Sequence, residues 1–138
     1  MCLVIVNKSA PTERIIVYKV VIEYNGLFLS PFYKFQYKIG WNEALHNAKI
    51  RSLFNPSRFI KSEKIKENMR NVSILQEGAL HCFYNISSAQ EFMTSDWRIL
   101  LKGYAEPEDF VAWGNSGDIA FKKIYIPQEE FIKALPKV

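Results

Sequence analysis

The chain has 138 residues, 49% of them apolar and 23% charged, with a net charge of +4 and a pI near 9.0. These proportions fit one globular domain and exclude long disordered tracts and collagen-like repeats. Cys2 and Cys82 are too few for a disulfide scaffold, and no apolar run approaches the roughly 20 residues that span a bilayer.

Ile15 to Glu23 (IIVYKVVIE) is dense in β-branched residues and predicts a strand. Asn25-Gly26 then predicts a two-residue hairpin, because a type I′ turn needs positive φ at both positions. Leu27 to Leu29 starts the return strand. Ser30-Pro31 interrupts it, since proline has no ladder N–H. Phe32 to Ile39 alternates aromatic and polar residues and predicts a further strand ended by Gly40.

Glu43 to Leu53 predicts a short helix from the spacing of Ala44, Leu45, Ala48 and Leu53. After the Asn55-Pro56-Ser57 break, a second helix is predicted from Ser57 or Ser62 to Arg70. Its apolar face, Ile60, Ile65 and Met69, is thin, so the whole stretch of about 43–71 reads as a peripheral or mobile helical excursion from a single domain.

Gly78 to Tyr84 predicts a buried strand, and Ser88-Ala-Gln-Glu91 is a capping-box pattern for a short helix to Met93. Trp97 to Tyr104 predicts a strand with Trp97, Ile99 and Leu101 on one side. Pro107 and Gly114-Asn-Ser-Gly117 mark an irregular region. Ile119 to Ile126 predicts one strand, and Pro127 opens a last helix, Gln128 to Leu135. Strands dominate without a βαβ alternation, so the expected class is α+β with a mainly antiparallel sheet and a few short helices.

Charge is unevenly spread. Up to Arg70 there are 12 basic and 5 acidic residues, a net +7; the remainder carries 6 and 9, a net −3. Lys49 to Arg70 holds 7 basic and 2 acidic residues with Phe54 and Phe59 among them. Basic side chains interleaved with aromatics suit a single-stranded nucleic-acid groove, with Lys49, Arg51, Arg58, Lys61 and Lys64 as the contacts. No RNP1 strand or helix-turn-helix accompanies them, and the commoner reading of such a stretch is a solvated helix face.

Candidate chemistry is sparse. The only histidines are His46 and His81, and no CxxC, HxxxH or HExxH occurs, so no metal site is expected. No P-loop or GxGxxG is present, and no cofactor is implied. Cys2 follows Met1, and loss of that methionine would expose a thiol beside an α-amine; the plainer role for Cys2 is a small apolar residue on a first strand. His81 and Cys82, adjacent on a strand, point to opposite faces and should not form a dyad. His81 stands in an apolar run, Ala79 to Phe83, and is the candidate catalytic residue; its plainer role is structural. The loop acids Glu106, Glu108, Asp109 and Asp118 offer general acid/base pairs such as Glu108 with Asp118, although solvated loop acids are commoner. Tyr84, Trp113, Asn115 and Asp118 are the candidate ligand-binding residues.

Several segments also resemble a group of small proteins from Bacteroides-type gut bacteria and their phages. They are Met1-Cys2-Leu3, Ile16 to Val20, and Leu29-Ser30-Pro31 with Tyr37 and Gly40. Glu77-Gly78-Ala79-Leu80-His81-Cys82-Phe83 followed by Ala89 is similar to that group's E-G-x-H-x-F…A pattern, with one extra residue between Gly78 and His81. Gly117 to Ala120 leading to Ile124-Tyr125-Ile126-Pro127 completes the match, over about half the chain in scattered pieces. The group has no assigned activity, so the resemblance implies a cytoplasmic bacterial or phage protein and no catalytic residue. The start of the chain has no basic residue ahead of its short apolar run, which also points to the cytoplasm.

Three functional readings follow. The first is a small cytoplasmic binding module without catalysis. The second is an enzyme acting on a nucleotide-like substrate in a cleft of His81, Tyr84, Trp113 and a loop carboxylate. The third is nucleic-acid binding through 49–70. Edge strands and abundant aromatics are compatible with a homodimer, and no membrane partner is expected.

Overall fold

The computed structural model describes residues 3–6, 8–31, 35–52, 73–93 and 98–134. In chain order its elements are β1 (Leu3–Val6), β2 (Ile15–Tyr24), β3 (Leu27–Leu29), β4 (Gln36–Tyr37), β5 (Gly40–Glu43), β6 (Lys49–Ser52), β7 (Ser73–Glu77) and β8 (Leu80–Phe83). There follow α1 (Ile86–Phe92), β9 (Arg98–Ala105), a 3₁₀ turn at Pro107–Asp109, β10 (Phe110–Gly114), β11 (Asp118–Phe121), β12 (Lys123–Ile126) and α2 (Gln128–Ala134). The strands pair in the order β5-β12-β9-β2-β8-β11-β10-β1-β7-β6, with β3 and β4 branching from β2. All pairings among the described residues are antiparallel. The fold is thus dominated by antiparallel sheet, with two short helices. No helix among the described residues is long and apolar enough to cross a membrane.

β2 is the spine. It pairs with β9 over its first eight residues, from Ile15↔Ala105 to Ile22↔Arg98. This register places Val17, Val21 and Leu101 on one face, where they join Ile119, Phe121, Ile124 and Ile126 in the main core. Each such side chain contributes about 1.5–3 kcal/mol when fully buried. A one-residue slip would expose the whole set, so the core itself holds the register. On the opposite face Val20 and Phe83 pack against Ala89 of α1. α2 reaches the main core through Phe131, whose ring meets Phe28 edge-on at 5.0 Å.

The Asn25-Gly26 hairpin forms as expected, with φ of 51° and 80°. Several other expectations are corrected. The helix expected from Glu43 to Leu53 does not form over 43–52, and Leu53 lies outside the described residues: Glu43 closes β5, and Lys49–Ser52 is a strand paired with Ser73–Glu77. Sheet pairing overrides the local helical spacing there. Of the expected strand from Phe32 to Ile39, 32–34 lie outside the described residues and only Gln36–Tyr37 is strand, and Gly40 opens β5 instead of ending it. The α1 cap is Asn85, whose side chain accepts from the Ser87 amide at 2.9 Å, and not Ser88. The region after Pro107 contains β10, and Ile119 to Ile126 is two strands broken at Lys122, whose amide donates to the Asp109 carbonyl. The expected helix from Ser57 or Ser62 to Arg70 lies outside the described residues, as does Cys2.

Candidate functional site: a cavity where the sheet forks

One edge of β2 is shared by two neighbours. β3 pairs with its end, from Ile22↔Leu29 to Tyr24↔Leu27, and β8 pairs at Tyr18↔Phe83. β8 then continues alongside β11, from Phe83↔Asp118 to Leu80↔Phe121. The sheet therefore forks beyond Tyr18, and residues 19–21 of β2 face the gap. An open cavity of about 700 Å³ occupies this fork, a volume in the range of small-molecule sites.

Lys19 stands in the fork. Alternation along β2 puts it on the core face between Val17 and Val21, both 1% exposed or less. Its ammonium donates to the His81 carbonyl at 2.7 Å and lies 5.3 Å from the centre of the Tyr37 ring. The lysine thus satisfies a β8 carbonyl at the place where the ladder has opened. Burial lowers its amine to about 8, against a small opposing influence from Cys82, so it remains mainly cationic at neutral pH.

Two other polar groups of the lining, Ser30 and Asn42, are committed to the backbone. Ser30 accepts from the Phe35 amide at 3.0 Å through its hydroxyl. The buried Asn42 side chain accepts from the Lys38 amide at 2.8 Å and donates to the Lys38 and Gly40 carbonyls at 2.9 and 3.2 Å. Cys82 is a free, buried thiol pushed up to about 12 by burial, 3.5 Å from the Ile119 carbonyl. Tyr37 is buried and its phenol is raised well above its ordinary value, chiefly by burial. Neither ionises near neutrality. Apolar surface comes from Val20, Phe35, Leu80, Phe83 and Phe92.

His81 lines the same cavity, and its register with Ala120 puts its ring on the face opposite Cys82, as the alternation predicts. Both ring nitrogens are buried without a hydrogen-bond partner. Burial, and then the Lys19 charge, push the imidazole down to about 4. At neutral pH it is a neutral, desolvated ring whose nitrogens present no surface to the cavity. That makes the ring a wall, while the His81 backbone carbonyl accepts from Lys19, and gives no proton carrier.

The remaining candidates stand apart from the cavity. Tyr84 and Trp113 touch each other edge-on, ring centres 5.1 Å apart. Trp113 donates its indole N–H to the Ser9 carbonyl at 2.8 Å, and Lys8 lies over its ring at 4.5 Å. Asp118 is buried and accepts from the Ser116 amide at 3.0 Å, tying the β10–β11 turn. Asn115 sits in that turn, its own amide bonded to the Val4 carbonyl. These four therefore build a hairpin end, and His81, Tyr84 and Trp113 do not form the expected common cleft. Glu108 and Asp118 lie at opposite ends of the β10–β11 hairpin and form no catalytic pair. Lys49 and Arg51 are residues of β6, and Arg58, Lys61 and Lys64 lie outside the described residues. His46 lines the cavity and is exposed. Among the described residues no three metal-ligating side chains come together.

Sequence reasoning missed Lys19, Tyr37 and Asn42. For Lys19 a signal was present: in IIVYKVVIE both alternating faces are apolar, so a lysine on either face enters a buried environment. No protein-family model, curated protein or solved structure matches the chain, so the functional reading rests on the chemistry of the fork.

Proposed function

We propose that this protein is a small-molecule binding module, working in the cytoplasm where the Cys82 thiol stays reduced, with no catalysis of its own. The observation that carries the reading is the fork cavity: about 700 Å³, walled largely by apolar side chains, with the Lys19 ammonium at its core-facing side and the exposed Lys38 and Glu43 also in its lining. Ligand sites commonly combine this sort of apolar lining with a few placed polar groups. Catalysis would need a nucleophile or a proton carrier poised near neutrality. Cys82 and Tyr37 are held protonated and His81 is held neutral, and Lys19, at about 8, is mainly cationic at neutral pH with its ammonium engaged by the His81 carbonyl, which supports binding over turnover.

The test is amide chemical-shift mapping with a library of small organic molecules. Binders should shift residues 19–20 and 80–83 together, and Ala44→Trp, which fills the lining at Ala44, should abolish those shifts. A library in which no member moves the fork residues, or hits that survive Ala44→Trp, would overturn the reading.

A further inference from the structure

We propose that the ligand is an apolar molecule ending in one carboxylate, and that Lys19 is its counter-ion. The inference rests on the small-molecule reading and names the ligand class. Among the described residues the ion pairs are Arg14–Glu106 and Lys133–Glu130, so Lys19 belongs to neither. Its hydrogen bond goes to the neutral carbonyl of His81, which leaves a positive charge at a core-facing position with no anion paired to it among the described residues. An unpaired charge withdrawn from water is costly, and an anion arriving from the ligand relieves that cost.

The fork also limits what the anion can be. Of the charged groups in the lining, Lys38 and Glu43 are exposed and Lys19 alone stands on the core face of β2, where its neighbours Tyr37 and Cys82 stay uncharged. A phosphate dianion calls for several converging donors, such as a backbone nest or an arginine fork. A monoanion matches one ammonium. The walls supplied by Val20, Leu80, Phe83 and Phe92 suit a hydrocarbon or aryl body at about 0.8 kcal/mol per buried methylene.

Calorimetric titration with octanoate and 1-octanol, equal in length and differing in charge, tests the assignment. The full chain should bind octanoate at least tenfold more tightly than octanol at pH 7. Lys19→Met should bring the two affinities to within about twofold while octanol binding is kept. Lys19→Arg, which keeps the charge, should retain the preference and serves where the methionine variant fails to fold. Octanol bound as well as octanoate by the unaltered protein would overturn the counter-ion role and leave the small-molecule reading standing. Octanoate preference surviving in Lys19→Met would do the same. Binding of neither probe would overturn the apolar-carboxylate class, and the library mapping decides the broader reading separately.

Discussion

The ammonium of Lys19 bonds to the backbone carbonyl of His81 across the gap where β2 and β8 part, at 2.7 Å. This one contact joins the two arms of the fork. It also places a charge in a position that the flanking Val17 and Val21 mark as core. Such an arrangement favours a ligand at the expense of the empty protein's stability, a trade seen where sites carry strain for function.

Lys19→Met should therefore stabilise the ligand-free protein. Its folded-state amine is lowered to about 8 from 10.5, so the penalty for the buried cation is complete below pH 8 and fades as pH rises toward 10.5. A methionine removes that penalty and forfeits one hydrogen bond. The expected net gain at pH 7 is about 1–2 kcal/mol. Urea denaturation at pH 7 and pH 10 checks it: the advantage should shrink at the higher pH. Cys82 and Tyr37 titrate in both proteins and cancel in the difference.

His81 should make the protein acid-sensitive. Its folded-state value is lowered from 6.5 to about 4, so the unfolded chain binds the proton first. Stability is complete above pH 6.5 and is lost as pH falls from there toward 4. His81→Leu removes the proton and the two unpartnered nitrogens. The variant should exceed the parent by about 2 kcal/mol at pH 4.5, with a smaller difference at pH 7.5, in thermal melts at both. A parent whose His81-dependent stability rises on acidification would contradict the burial of that ring.

Gly78 should resist substitution. Its φ is 87°, and a Cβ there would strike the backbone of Asn47 and Ala48. The glycine lets the loop after β5 close on the start of β8, beside the cavity. Gly78→Ala should cost about 3 kcal/mol or more, because left-handed strain and a backbone collision add. Circular dichroism melts give the stability, and amide shifts at 44–48 report whether the loop has moved.

Asn42 should be a structural anchor. One side chain makes three hydrogen bonds to the turn between β4 and β5 while 4% exposed. Asn42→Ala should cost about 1–3 kcal/mol, since it deletes three part-buried hydrogen bonds that tie the turn. Asn42→Asp should fare no better, because it keeps the acceptor for the Lys38 amide and loses both donors. Equilibrium unfolding of the two variants is the measurement.

Trp113→Phe separates the hairpin end from the fork. It deletes the bond to the Ser9 carbonyl and should cost about 1 kcal/mol. Octanoate affinity should stay within twofold of the parent, because Trp113 is absent from the cavity lining.

The sequence by itself determined the local pieces that depend on short-range chemistry. Asn25-Gly26 forms the hairpin because few other pairs accept positive φ twice, and Ile15 to Glu23 lies within a strand because β-branched residues crowd it. It also marked His81 as an oddity in an apolar run. The tertiary structure decided the rest. Lys49 to Ser52 has helical spacing locally, yet becomes a strand because Ser73–Glu77 offers it a ladder more than 20 residues away. Trp113 meets Tyr84 instead of His81 because the register Trp113↔Ile119↔Cys82 puts it on the sheet face opposite the His81 ring. The cavity exists because two strands compete for one edge of β2, and pairing partners are chosen by long-range burial that no local window contains. The apolar flanks of Lys19 mark its burial in the sequence, but its place as the charge in the fork is settled only when the sheet divides around it.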